Sequence, residues 1–264
     1  MSKKKIVEFS RYPVAFVALF VQIFLIITMF LYASLAFTAD PSAGPTDESR
    51  LLGGTVVYGF VIGLFLSFSL WEMGFSLREE QTRGTLESLY LSPASKIGSL
   101  LARVFAILLW VGTLSVFAVL FVGAVLGGLP LANAGLAVVV LGFSVSGFLG
   151  IAFIFAGVTI KLKETAQFLV AFLQFFFMIF SAQFFPFSAL PAPVITYVSQ
   201  WLPVSYSVDV FRSLLIGQEP ELGLGMGVEI LIVVLFGVIS PVVGYWIYKR
   251  IERSARSEGT LGEY

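Results

Sequence analysis

The densest run of side chains able to do chemistry lies between residues 75 and 95: Phe75-Ser-Leu-Arg-Glu-Glu-Gln-Thr-Arg-Gly-Thr-Leu-Glu-Ser-Leu-Tyr-Leu-Ser-Pro-Ala-Ser95. Glu79, Arg83 and Glu87 recur at every fourth position, which on a helix makes an ionic face, while Leu86, Leu89 and Tyr90 make an apolar patch. Gly84-Thr85 interrupts the run and Pro93 closes it. The chemistry on offer is recognition: contacts to a groove on another protein, or those of a solvated interfacial helix between two spans. Catalysis is poorly supplied. With no Cys and no His, the chain has no thiolate nucleophile, imidazole base, disulfide or imidazole metal ligand, and no metal site is expected. No glycine is followed by lysine, so the Gly-x4-Gly-Lys-Ser/Thr phosphate loop is absent and the chain holds no ATP by that route.

The elements that position this segment follow from hydropathy. Of 264 residues, 58% are hydrophobic and 12% charged, and the mean hydropathy is +0.96. That lies outside soluble composition, so lipid must solvate most of the surface. About 20 apolar residues cross a bilayer core, and six apolar runs of that order occur, at 14–37, 51–71, 104–126, 134–160, 166–185 and 227–248. The first is too long for the apolar region of a signal peptide and is taken as a retained span. Lys plus Arg equals Asp plus Glu at 16 each, so no charge excess points to nucleic acid. Their placement is lopsided: of the 16 basic residues, all but Arg50 and Arg212 fall on one side of the six-run topology. The positive-inside rule then puts both termini and the loop 72–103 in the cytoplasm, and the segment 186–220 outside. The expected fold is all-α, a polytopic membrane protein with six transmembrane helices in a single domain over 1–264.

Inside the apolar runs we count Gln22, Glu72, Gln167, Gln174 and Gln183 as the polar groups. Gln22, Glu72 and Gln174 are candidates for facing a pathway, with Phe172, Phe176 and Phe180 from the aromatic fifth run as its lining; hydrogen bonds between helices and contact with lipid would use the same residues without any substrate. Gly59-x3-Gly63 and Ser146-x3-Gly150 allow close helix packing. In 186–220, Val194, Val198 and Trp201 keep helical spacing, as do Val204, Val208, Phe211 and Leu215; Asp209 and Arg212, three apart, are expected to pair.

Two motifs carry a resemblance. Arg78-Glu79-Glu80-Gln81-Thr82-Arg83-Gly84-Thr85-Leu86-Glu87-Ser88-Leu89, followed by Leu91-Ser92-Pro93, resembles the segment after the second span of type-2 ABC exporter permeases, a family of drug-resistance and polysaccharide or lipid-linked glycan exporters. Phe184-Phe185-Pro186-Phe187-Ser188-Ala189-Leu190-Pro191 and Leu202-Pro203-Val204-Ser205-Tyr206-Ser207-Val208-Asp209-Val210-Phe211-Arg212 look like its carboxy-terminal signature, although Gln183 stands where a small residue is common.

The resemblance implies a cytoplasmic coupling helix, with Glu79, Glu80, Arg83, Gly84, Thr85, Leu86, Glu87, Leu89 and Pro93 contacting an ATPase. It implies an interfacial helix over 1–13 and external re-entrant helices over 186–220, with Pro186, Pro191, Pro203, Tyr206, Asp209 and Arg212 as gate candidates. It further implies a separate ABC ATPase in two copies, which binds the ATP and Mg that this non-enzymatic chain does not bind itself, and a second permease copy, as a homodimer, in the cell membrane. The expected cargo is an amphipathic drug, lipid or lipid-linked glycan. The rival is a secondary transporter or channel, against which stands the lack of embedded acids and bases for ion coupling. An intramembrane enzyme lacks a catalytic group.

Overall fold

The computed structural model describes residues 13–36, 46–82, 96–162 and 165–257, and among the described residues there is no strand. In order they form α1 (Pro13–Ala36), α2 (Asp47–Thr82), α3 (Lys96–Leu126), α4 (Ala134–Leu162), α5 (Ala166–Phe180), α6 (Ala192–Tyr197), α7 (Pro203–Ile216) and α8 (Met226–Ser257), with 3-10 turns at Phe187–Ala189 and Ser199–Trp201. Among the described residues, four stretches are long and apolar enough to cross a bilayer, Asp47–Glu72, Leu108–Leu126, Ala134–Thr159 and Met226–Ser254, while Phe20–Tyr32 and Ala166–Phe180 are apolar but shorter. The chain is an all-α polytopic membrane protein.

Helix α2 is the axis of the bundle. It starts on a reciprocal cap, Thr46 N–H to Ser49 Oγ at 2.9 Å and Ser49 N–H to Thr46 Oγ1 at 3.2 Å, with Asp47 and Glu48 in the first turn facing the positive end of the helix dipole. Residues 53–66 are buried without a break, because α1, α3, α4, α5 and α7 all pack on this helix. It also continues past Glu72, where the sequence suggests a loop, to Thr82; α3 likewise begins early, at Lys96. Along the α1–α3 contact, Phe20 meets Trp110 and Phe117 edge-on, and Phe24 meets Phe121 at 4.9 Å.

Helices α4 and α8 make the tightest seam, and small residues explain it. A Cβ on Gly150 would land on the Ser240 backbone, one on Gly244 on the Gly150 backbone, and one on Gly237 on Phe143. The seam is also hydrogen-bonded. Pro241 lies inside α8 and has no N–H to give the carbonyl four residues back, that of Gly237. Ser146 Oγ donates to that carbonyl at 2.7 Å, and Ser240 Oγ donates in return to the Gly147 carbonyl at 2.9 Å. The Ser146-x3-Gly150 motif thus both admits α8 and satisfies the polar group its proline exposes.

The fifth apolar run is shorter as a helix than its hydropathy suggests. It reads as continuous to Phe185, but α5 stops at Phe180 after 15 residues, roughly 22 Å against the ~30 Å hydrocarbon core. Ala182 takes the left-handed conformation, φ 48°, which ends the helix at a cost of about 1–2 kcal/mol. The Gln183 backbone then sits over Gly59, and its side chain over Gly63, where any Cβ on α2 would collide with it. The Gly59-x3-Gly63 notch therefore receives this broken segment, with the Arg212 guanidinium beside it at Gly59.

Candidate functional site: a buried polar cap at one end of the bundle

The three prolines proposed as gate elements each precede or open a short turn of helix. Pro186 is extended before the turn Phe187–Ala189, Pro191 is extended before α6, and Pro203 opens α7, where a missing N–H costs nothing. The spacing of Val194, Val198 and Trp201 does not give one helix: α6 ends at Tyr197, a 3-10 turn follows, and Trp201 is left exposed. Val204, Val208, Phe211 and Leu215 do share one helix, α7, whose residues from Val204 to Leu215 are all buried. Gly217 ends it in the left-handed region, φ 80°, with its N–H on the Ser213 carbonyl.

A helix buried on every side must find partners for its polar groups. Arg212 donates Nη2 to the Ala182 carbonyl at 2.7 Å and Nη1 to the Phe185 carbonyl at 3.3 Å, holding the broken end of α5. Asp209 accepts from the backbone N–H groups of Glu221 at 3.1 Å and Leu222 at 2.7 Å, holding the loop 217–225. The expected Asp209–Arg212 ion pair is therefore not formed. Each charge finds backbone groups brought by another segment, which spacing along one helix does not reveal.

The remaining contacts join this cap to its surroundings. Tyr206 donates its hydroxyl to the Gln200 carbonyl at 2.7 Å, Gln200 Nε2 donates to the Leu222 carbonyl at 3.2 Å, and Glu221 Oε2 accepts from Ser188 N–H at 2.9 Å. The α3–α4 loop closes the other side, through Ala132 N–H to the Leu215 carbonyl, Asn133 N–H to the Leu214 carbonyl and the Tyr58 hydroxyl to the Pro130 carbonyl. Burial pushes the Asp209 carboxyl up from its ordinary value, while the Leu222 and Glu221 N–H groups and the Arg212 charge pull it down. Burial lowers the Arg212 guanidinium to about 10, with Glu221 and Asp209 opposing that shift; it stays charged at neutral pH.

Pro186, Pro191, Pro203, Tyr206, Asp209 and Arg212 thus come together in one cap. The pathway candidates do not share one surface. Gln22 is exposed on α1, and Gln174 accepts from Trp71 Nε1 at 2.6 Å, joining α5 to α2. Phe172, Phe176 and Phe180 form a ladder along a different face of α5, with centroids 6.3 and 4.7 Å apart, Phe172 exposed and the other two half-buried. Glu72 is half-buried on α2. Of the coupling residues, Glu79 and Glu80 lie in the last turns of α2, while Arg83, Gly84, Thr85, Leu86, Glu87, Leu89 and Pro93 fall outside the described residues, as do residues 1–12.

One site residue escaped the sequence reading. Glu229, near the start of α8, is fully buried and accepts from Leu224 N–H at 3.2 Å. A lone acid in an apolar run is the signal that marks it. With Asp209 also fully buried, the expectation that the chain lacks embedded acids is corrected.

Residues 45–246 match the model of a family described as ABC-2 family transporter protein. No curated protein matches the chain.

Proposed function

The chain belongs to the ABC-2 family of transporter proteins and is a membrane permease of the ABC transporter type, and we propose that it exports an amphipathic drug, lipid or lipid-linked glycan, powered by a separate ATPase. The observation that carries this reading is the extent of the family match, which takes in both the 78–93 motif and the cap. In the proposed assembly, six segments cross the cell membrane, α1 and α5 completing the four long spans. Two permease copies then engage two ATPase copies, which bind the ATP and Mg.

Orientation rests on charge. Among the described residues, Arg50 and Arg212 lie toward the cap, whereas Lys96, Arg103, Lys161, Lys249, Arg250 and Arg253 lie toward the other end, so the cap faces outward and both termini face the cytoplasm. As the chain has no native cysteine, Ser42→Cys labels from outside, and Ser92→Cys only after permeabilisation.

Coupling follows from the continuity of α2. Its 36 residues span roughly 54 Å and carry Glu79 and Glu80 at one end, and Gly59 and Gly63, against Gln183 and Arg212, nearer the other. A push on the 79–93 segment is delivered by one rigid element to the cap, where α7 and the broken end of α5 act as the outer gate.

The test is Leu86→Ala and Glu87→Arg. Truncating a docked apolar anchor costs about 2 kcal/mol or more, roughly a thirtyfold loss of affinity. Both variants insert and dimerise, bind the ATPase weakly and fail to transport; normal ATPase binding and transport in both would reduce the segment to a linker. The buried Asp209 and Glu229 favour one rival, an ion-coupled transporter. Vesicle transport that runs on an ion gradient without ATP would establish that rival.

A further inference from the structure

Asp209, on α7, and Glu229, at the start of α8, both turn their carboxyls to the loop 217–225. Both are fully buried, and among the described residues the other buried charge around them is that of Arg212. The two side chains hold one loop, Asp209 at Glu221 and Leu222 and Glu229 at Leu224, yet two ionised carboxylates are acceptors only and cannot bond each other. Among the described residues every hydrogen-bond partner of the two is a donor: Glu221 N–H, Leu222 N–H and Ser213 Oγ to Asp209, and Leu224 N–H to Glu229 Oε1. Glu229 Oε2 is left as a buried oxygen with no donor of its own.

We propose that Asp209 and Glu229 form a proton-binding site, in which one proton on Glu229 Oε2 bridges to Asp209 and latches the loop 217–225 onto the bundle. Three observations converge on it. A proton turns the orphaned Oε2 into a donor. It makes the buried trio of Asp209, Glu229 and Arg212 neutral, where two ionised carboxyls beside one guanidinium leave an uncompensated charge in a low-dielectric interior. It goes to Glu229 because Asp209 already accepts two backbone N–H groups, which favour its ionised form, against one for Glu229.

The other titratable groups facing the pair are Tyr206, also on α7, and Glu221 in the loop. The loop is held through the pair at two points, at Glu221 and Leu222 by Asp209 and at Leu224 by Glu229. Removing the proton sets two like charges against each other and loosens the loop from both anchors, so external pH acts on the cap directly. The site is independent of what the permease carries and of the ATPase.

The experiment uses the purified full-length chain in lipid nanodiscs. Infrared difference spectra between acidic and alkaline buffer are expected to show a protonated-carboxyl C=O band that Glu229→Gln abolishes and Asp209→Asn shifts. Glu229→Gln keeps an acceptor for Leu224 N–H and supplies a permanent donor to Asp209. Its melting temperature is therefore expected to stay flat as pH rises, while that of the wild type falls. Absence of the band from the wild type, or the same pH dependence of melting in wild type and Glu229→Gln, would overturn the site. If Glu229→Gln does not accumulate, an Asp209→Asn band at the wild-type position overturns it equally.

Discussion

The α4–α8 seam and the α7 cap are both buried, and they are held by opposite means. In the seam, Gly150, Gly237 and Gly244 remove side chains so that backbones touch, and two serine hydroxyls donate across it to carbonyls. In the cap, Asp209, Arg212, Glu229, Tyr206 and Gln200 reach outward to backbone groups of neighbouring segments. Close packing tolerates little change of spacing, because dispersion contacts and backbone clashes vary steeply with distance. A polar cap can exchange partners, and its bonds are made to loops and broken helix ends, which are the parts of a permease able to move without unfolding the spans. The difference separates a close-packed wall from the polar cap proposed as the outer gate.

The seam is most severely broken at Gly150. A leucine there must displace the Ser240 backbone, which cannot rotate away, so the cost falls at the upper end for overpacking, about 3 kcal/mol or more. Gly150→Leu is expected to lose folded protein on size-exclusion chromatography, whatever the ATPase does. Gly142 is the internal control: nothing lies within 4 Å of a Cβ there, so Gly142→Ala leaves the elution profile unchanged.

The cap is tested next by Arg212→Lys. If the charge alone mattered, a lysine would serve. A guanidinium spanning the Ala182 and Phe185 carbonyls cannot be replaced by an ammonium that reaches one of them. Losing one charge-assisted bond costs roughly 1.5–3 kcal/mol. The variant is expected to melt earlier and, under the proposal that the cap is the outer gate, to raise leak through the permease in the absence of ATP. Wild-type melting and no leak would mean that the fork is dispensable.

Much of the seam was legible in the sequence and much of the cap was not. The starts of α4 and α8 fall where the apolar runs at 134 and 227 place them, and Ser146-x3-Gly150 announced close packing. The end of α5 was hidden, because Ala182 carries no mark of a left-handed residue and Phe184 and Phe185 continue the apolar run past the break. Spacing placed Asp209 and Arg212 within reach of each other, but their partners at Ala182, Phe185, Glu221 and Leu222 arrive only through tertiary folding. Gly59-x3-Gly63 was legible as a place for close approach, though not as the notch for Gln183. The motif at 78–93 rests on resemblance alone.

A subtler probe of the seam is Ser146→Ala. Pro241 leaves the Gly237 carbonyl without its helical partner, and Ser146 is the donor that replaces it. Removing that hydroxyl orphans a buried carbonyl, a cost of about 1 kcal/mol. Replacing Pro241 with alanine restores the N–H, so Ser146→Ala is expected to lower the melting temperature in the wild type and to have a smaller effect in Pro241→Ala. Equal effects in the two backgrounds would mean that the hydroxyl does not act through that carbonyl.

The smallest effect is expected where α2 and α5 are joined away from both regions, by Trp71 Nε1 on Gln174. Hydrogen bonds between membrane helices average roughly 0.6 kcal/mol, because the separated helices also find partners. Trp71→Phe keeps most of the ring and loses the donor, so its stability is expected to fall by about that amount. Gln174 was a pathway candidate, and the two roles predict different patterns. If the amide only ties the helices together, Trp71→Phe and Gln174→Leu cost the same, and the double variant costs no more than either single one. If Gln174 also contacts the cargo, Gln174→Leu changes the apparent affinity for transport while Trp71→Phe does not. Transport titrations of both variants, beside their melting curves, decide whether this bond belongs with the fixed wall or with the path.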